Sequence, residues 1–273
     1  KCNIIAAFIT KLHGVRMVLK KIFDLFIFSV LFSQILTAQN LTDANLTSAK
    51  YWRSKLTDAN VTYGYYEKKT KIIVVNKAQK TLHGFEYAGG ALEQTFSQNV
   101  ITGKSGDKFK EGDLKTPVGV YDVIDKFTPP DPFYGPLAMS LSYPNAHDKA
   151  AKKTGGGIWI HGLPMNGKRE DEVRTRGCVA FDNDALVKFG KLIGDKGVVI
   201  ISENEPVDAS KDDIARVLAH LQEWLQMWRD NETKIYLSFY ADKFVKIDGK
   251  NALSKAKFAE RKKKIFALNE KKS

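Results

Sequence analysis

Seven short runs rich in β-branched and aromatic residues crowd the stretch between Lys69 and Glu203, and they constrain the fold more than any other feature. They read KIIVVN (71–76), LHGFEYA (82–88), NVITGK (99–104), VGVYDVIDKF (118–127), LAMSLSY (137–143), GIWIHG (157–162) and GVVIIS (197–202). Gly, Pro, Asn and Asp separate them, which is the punctuation of strands joined by turns. One helical pattern, NDALVKFGKLI (183–193), with Asn183 as its expected cap, precedes the last run. Many strands with a single helix predict a mainly β domain of sandwich or barrel type rather than a doubly wound α/β sheet.

Around this block the pattern changes. Residues 39–68 are polar, and LTSAKYWRSKL (46–56) predicts an amphipathic helix capped by Asp43 or Thr42, so the segment reads as an amino-terminal arm. The arm is expected to pack on the main domain or on a second copy, which leaves a homodimer open. Beyond a boundary at 206–211, Ser210 and Asp213 form a capping signal before IARVLAHLQEWLQMW. There, apolar residues recur at three- and four-residue steps. The tail 206–273 therefore reads as helical. Residues 1–38 carry a secretory layout around Met17: two lysines, an apolar middle from Ile22 to Leu36 that is too short to span a bilayer, and Ala38 as a small exit residue. That predicts export to the periplasm or cell envelope, with membrane contact only through an uncleaved leader.

Export sharpens the question of cysteine. The 273-residue chain has two, Cys2 in the leader and Cys178 in the β block. A lone thiol in an oxidising compartment is either buried as a small apolar group or kept for its chemistry. In IWIH the side chains alternate, placing Trp159 and His161 on one face. Arg176-Gly177-Cys178 forms a permissive turn, of the kind that gathers backbone N–H groups into an oxyanion hole. A free thiol is only a few per cent ionised at neutral pH, and a histidine in reach takes its proton and later returns it to a leaving amine. Acyl transfer through a thioester is one reading of the pair; a buried Cys and a hydrogen-bonded core His is the other. A metal site fits poorly, since the pair lacks a second cysteine nearby and His147 is the only candidate for a close second histidine.

The motifs around these residues resemble the catalytic signature of the L,D-transpeptidase (YkuD-type) family. HG at 161–162 and TRGC at 175–178 match its histidine-glycine and Ser/Thr-x-Gly-Cys elements, and TGKSGDKFKEGDLKTPVGVYDV (102–123) resembles its upstream Gly-Lys … Thr-Pro element. The resemblance covers about residues 69–203, within an expected catalytic domain of 69–205. It implies an L,D-transpeptidase-type β-sandwich with Cys178 as nucleophile and His161 as base. It also implies that the Gly162 carbonyl orients the imidazole and that the N–H groups of Gly177 and Cys178 hold the oxyanion, without cofactor or metal. One departure is Ala180, where the family usually carries arginine. With FYGPLAMSLSYPNAHD (133–148), that departure resembles the branch of cell-shape-determining L,D-carboxypeptidases, whose carboxy-terminal NTF2-like domain the tail resembles in part, without its sheet.

By this resemblance the substrates are peptidoglycan stem peptides. Tyr134 and Tyr143, with Asn145 and Asp148, are expected to form a lid or substrate wall. Trp159, Thr175, Arg174 and Arg176 are expected to contact substrate, while Lys168 and Arg169 are read as solvated. The net charge of +12 is concentrated in the tail, where residues 246–273 hold ten Lys/Arg against three Asp/Glu. No aromatic-basic platform accompanies it, so nucleic acid is not an expected partner. The open functional alternatives are L,D-transpeptidation with 3–3 crosslinks or attachment of wall-linked proteins, and a peptidoglycan-binding module with no turnover.

Overall fold

The computed structural model describes residues 43–167, 174–205, 209–248 and 251–268; the expected leader, Lys168 and Arg169 lie outside them. The arm holds α1 (Asp43–Leu46) and α2 (Ala49–Lys55), two short helices instead of the single one expected, with Ser48 at the start of the second. Then come β1 (Thr70–Asn76), β2 (Thr81–Ala88), β3 (Ala91–Asn99), β4 (Gly119–Phe127), a 3₁₀ turn at Pro132–Tyr134, β5 (Ala138–Leu141), α3 (Ala146–Ala150), β6 (Trp159–His161) and β7 (Val179–Ala180). Helix α4 (Asn183–Ile193) and β8 (Val198–Ser202) complete the β block. The tail contributes α5 (Lys211–Arg229), α6 (Thr233–Ser238), β9 (Val245–Asp248), β10 (Asn251–Ser254) and α7 (Lys255–Ala267).

Eight strands form one curled sheet in the order β3-β2-β1-β8-β4-β5-β6-β7. Most neighbours are antiparallel, but β1 runs parallel to β8 and β6 parallel to β7. Where a strand was expected over 99–104, the chain has already left β3: Ile101 crosses to bridge Ala180 of β7, so the sheet curls back on itself. The concave side is filled by Ile73, Val75, Val123, Met139, Ile160, Val199 and Ile201, and α4 seals it with Leu186, Phe189 and Ile193. Strand β1 is buried on both faces, because Ile72 and Val74 lie under Tyr63 and Tyr66 of the arm. That explains why its sequence runs apolar without alternation.

The arm continues onto the tail. Leu56, Ala59 and Val61 pack on Ile214, Ala215 and Leu218 of α5, and Arg53 pairs with Asp212 at 2.5 Å. It therefore docks within its own chain. The tail is not purely helical, since β9 and β10 pair as an antiparallel hairpin and α7 returns over them. Its core is aromatic: Trp228, Tyr236, Tyr240, Phe244, Phe258 and Phe266 interlock with ring centroids 4.7–5.4 Å apart.

Candidate active site

The parallel pairing of β6 with β7 sets Ile160 opposite Val179 and His161 opposite Ala180. Carried one residue back, that register puts Trp159 beside Cys178. Paired residues share a face and faces alternate, so Trp159, His161 and Cys178 all project to one side, while Ile158, Ile160 and Val179 enter the core. With strands about 4.8 Å apart and a rise of about 3.3 Å per residue, the Cα atoms of His161 and Cys178 lie about 8 Å apart, a span that two facing side chains can close.

The sulfur is half-buried. The Trp159 N–H points at Sγ from 3.5 Å, and Sγ lies 3.6 Å from the Gly157 carbonyl oxygen. The first contact suits a thiolate and the second a thiol, so the backbone accommodates both protonation states. His161 is 2 % exposed, and its Nδ1 sits 2.7 Å from the Gly162 carbonyl oxygen. A carbonyl can only accept, so Nδ1 carries the proton and Nε2 of the neutral ring is left as the basic nitrogen.

The turn that carries Cys178 is held by hydroxyls. The Cys178 carbonyl accepts from Thr175 Oγ1 at 2.6 Å and from Thr116 Oγ1 at 3.3 Å. Thr116 Oγ1 in turn accepts the Gly103 N–H, and Thr175 N–H donates to the Thr102 carbonyl. Gly177 has φ of 133°, and a Cβ there would stand 2.9 Å from the Lys115 carbonyl oxygen, so the turn needs glycine. The upstream Gly-Lys and Thr-Pro elements thus buttress the turn that carries Cys178.

Buried lysines anchor that buttress. Lys153 pairs with Asp107 at 2.5 Å and with Asp148 at 3.0 Å, and Lys77 pairs with Glu203 at 2.7 Å while donating to the Gly106 carbonyl. Lys108 pairs with Asp113 at 2.8 Å, and Asp113 also accepts the N–H groups of Phe109, Lys110 and Lys115. Burial raises the Asp113 carboxyl, but Lys108 and those N–H groups more than reverse it, holding it well below the usual carboxylate range. Burial likewise raises Glu203, and Lys77 and Ser105 bring it down to about 2.

Five residues expected to contact substrate or an oxyanion are placed otherwise. Tyr143 is a core residue, 5 % exposed, packed edge-on against Tyr121, with its hydroxyl donating to the Thr154 carbonyl. That bond lets a large amphipathic ring be buried, and burial pushes its phenol above the ordinary range. Thr175 is 3 % exposed, and its hydroxyl is engaged within the turn. The Gly177 N–H donates to that same hydroxyl at 3.1 Å, so it is spent on the turn rather than open to an oxyanion. Asn145 and Asp148 cap α3 reciprocally instead of forming a lid. By contrast, Tyr134 stands edge-on to both His161 and Trp159, with centroids 5.0 and 5.1 Å away, and Trp159 meets Phe127 in the same way. This aromatic wall flanks His161. Arg174 and Arg176 are exposed on either side of Thr175.

Residues 70–201 match the L,D-transpeptidase catalytic domain family (YkuD), and residues 216–273 match the Cds6 C-terminal NTF2-like domain. The structure is similar to that of the helical cell shape determining protein Pgp2 from Campylobacter jejuni, at 44% identity and a TM-score of 0.77, covering 83% of this chain and 79% of that one. The chain belongs to the L,D-transpeptidase catalytic-domain family. Bd1075 of Bdellovibrio bacteriovorus is similar at 28% identity and a TM-score of 0.58, over 77% of this chain and 76% of that one. The putative L,D-transpeptidase YafK of Escherichia coli is 28% identical over 123 residues, 44% of this chain and 46% of its own length. The chain thus spans about half the length of the curated relatives it matches. The tail match accounts for the β9–β10 hairpin, which the helical reading of 206–273 did not contain.

Proposed function

We propose that the protein is an exported cysteine acyl-enzyme that trims peptidoglycan, acting as an L,D-carboxypeptidase on tetrapeptide stems. The observation that carries this is the shared face of Cys178 and His161, with Nδ1 committed to the Gly162 carbonyl. His161 Nε2 takes the thiol proton, and the sulfur attacks the carbonyl of the L-centre of diaminopimelate, with the Cys178 N–H as oxyanion donor. The C–N bond to D-alanine breaks, and the imidazolium returns its proton to the departing amine. Water, deprotonated by the same imidazole, then cleaves the thioester and leaves a tripeptide stem.

Water is favoured over an amine because Ala180, at the family's usual arginine position, is fully buried and pairs with His161. No guanidinium fork stands there to hold the carboxylate of an acceptor stem. Similarity to a cell-shape-determining protein and the secretory layout of residues 1–38 support an envelope location. The test is incubation with disaccharide-tetrapeptide, followed by mass spectrometry of the products. The reading expects D-alanine release that vanishes in Cys178→Ala. Crosslinked dimers without hydrolysis would replace it with transpeptidation, and absence of any product would leave a binding module.

A further inference from the structure

We infer that Asn183 is a positioning residue for the catalytic base, acting through the peptide bond between Gly162 and Leu163. That one peptide unit carries both ends of the contact. Its carbonyl, Gly162 O, holds His161 Nδ1 at 2.7 Å, and its N–H, on Leu163, donates to Asn183 Oδ1 at 2.8 Å. A peptide is planar, so fixing the N–H fixes the direction of the carbonyl, and with it the tautomer and tilt of the ring.

Asn183 has no competing duty at its own helix. The cap of α4 is Asp182, whose side chain accepts the Ala185 N–H at 2.9 Å, and this frees the neighbouring oxygen to reach across to Leu163. Two main-chain ties hold the same segment: Phe181 N–H to the His161 carbonyl at 3.2 Å, and Gly162 N–H to the Tyr134 carbonyl at 2.9 Å. To these Asn183 Oδ1 adds a side-chain hold on the peptide unit that carries the imidazole's acceptor. Packing reinforces it. A Cβ on Gly162 would land inside the van der Waals shell of Asn183 Oδ1, and a Cβ on Gly135 would stand 2.6 Å from the same oxygen. The amide oxygen is thus seated between two glycines, close to the backbone it grips.

This inference rests on His161 acting as the base, and its test is arranged so that the two can fail separately. Asn183→Ala removes the acceptor, Asn183→Asp keeps it in place, and Asn183→Gln keeps the amide but carries it one methylene away. The readouts are the His161 tautomer from imidazole ¹⁵N chemical shifts, the rate of Cys178 alkylation by iodoacetamide against pH, and kcat and KM for D-alanine release. The wild type is expected to show the Nδ1–H tautomer. In Asn183→Ala and Asn183→Gln the tautomers mix, alkylation slows, and kcat falls about 10- to 100-fold with KM little changed. Asn183→Asp stays within about threefold of wild type. If Asn183→Ala does not fold, the contrast between Gln and Asp carries the test. Wild-type tautomer and kcat in the Gln variant, or an Asp variant as impaired as Gln, would overturn the inference. If wild-type protein releases no D-alanine, the proposed reaction fails, while the tautomer and alkylation rates still decide the part played by Asn183.

Discussion

The curled sheet and the carboxy-terminal unit solve the same packing problem with different materials. The sheet fills its interior mainly with Ile, Val, Leu and Met, with Tyr121, Tyr143, Phe181 and Phe189 among them, and its buried charge fixes the 103–118 loop behind Cys178. The carboxy-terminal unit is built from interlocked rings, with Trp224 Nε1–H donating to the Tyr240 hydroxyl and that hydroxyl donating to Tyr236, and Lys262 lying 3.9 Å over Trp228. Buried ion pairs are weak as net stabilisers but costly to break on one side, so they hold one geometry against its alternatives. Aromatic packing buries a large area per side chain, through edge-on and tilted ring pairs. Buried ion pairs therefore gather behind Cys178, while ring packing holds the tail together.

Substitutions should separate the two regions. The largest effect belongs to Cys178→Ala, which abolishes turnover, a loss of about 10⁴-fold or more, while the thermal midpoint stays close to wild type. Gly177→Ala comes next: its Cβ meets the Lys115 carbonyl at an unfavourable φ, so kcat falls on the order of 10²-fold with a stability loss of about 1–3 kcal/mol. Lys153→Met leaves Asp148 buried without its cation and costs about 3–5 kcal/mol in urea unfolding, with activity falling in step. Asp148 loses little if Lys153 is dispensable, and an unchanged midpoint would break the comparison at its strongest point.

Acid should reach the sheet through Glu203. Its folded carboxyl lies at about 2 against an ordinary 4.5, so its contribution is complete above the ordinary value and disappears as pH falls toward 2. Glu203→Gln is expected to be less stable at neutral pH and to have a flatter stability profile between those limits, measured by urea titration at stepped pH. The smallest effect is Tyr240→Phe in the tail, which removes a hydroxyl link worth about 1 kcal/mol and leaves kcat unchanged. A kcat change there would show that the regions are coupled.

Much of the sheet was legible because its strands are written in β-branched runs, and the motifs around His161 and Cys178 stand out because each is local in sequence. What escaped depends on partners distant in sequence. ALEQTFSQN (91–99) carries little alternation and becomes β3 through its pairing with β2, bulged at Gly84/Phe85. Lys77, Lys108 and Lys153 look like solvated surface charges until the fold folds carboxylates over them. Asp182 and Asn183 are both good helix caps, and only the approach of residue 163 decides which one turns outward. Tyr143 shares a Pro-rich stretch with Tyr134, yet only Tyr134 reaches the histidine.

The central claim is a thioester on Cys178, and intact-protein mass spectrometry after acid quenching of a reaction with disaccharide-tetrapeptide tests it most directly. The account predicts an added mass equal to the stem acyl group less D-alanine, mapped to the peptide containing Cys178. An adduct on another residue, or D-alanine release undiminished in Cys178→Ala, would contradict it.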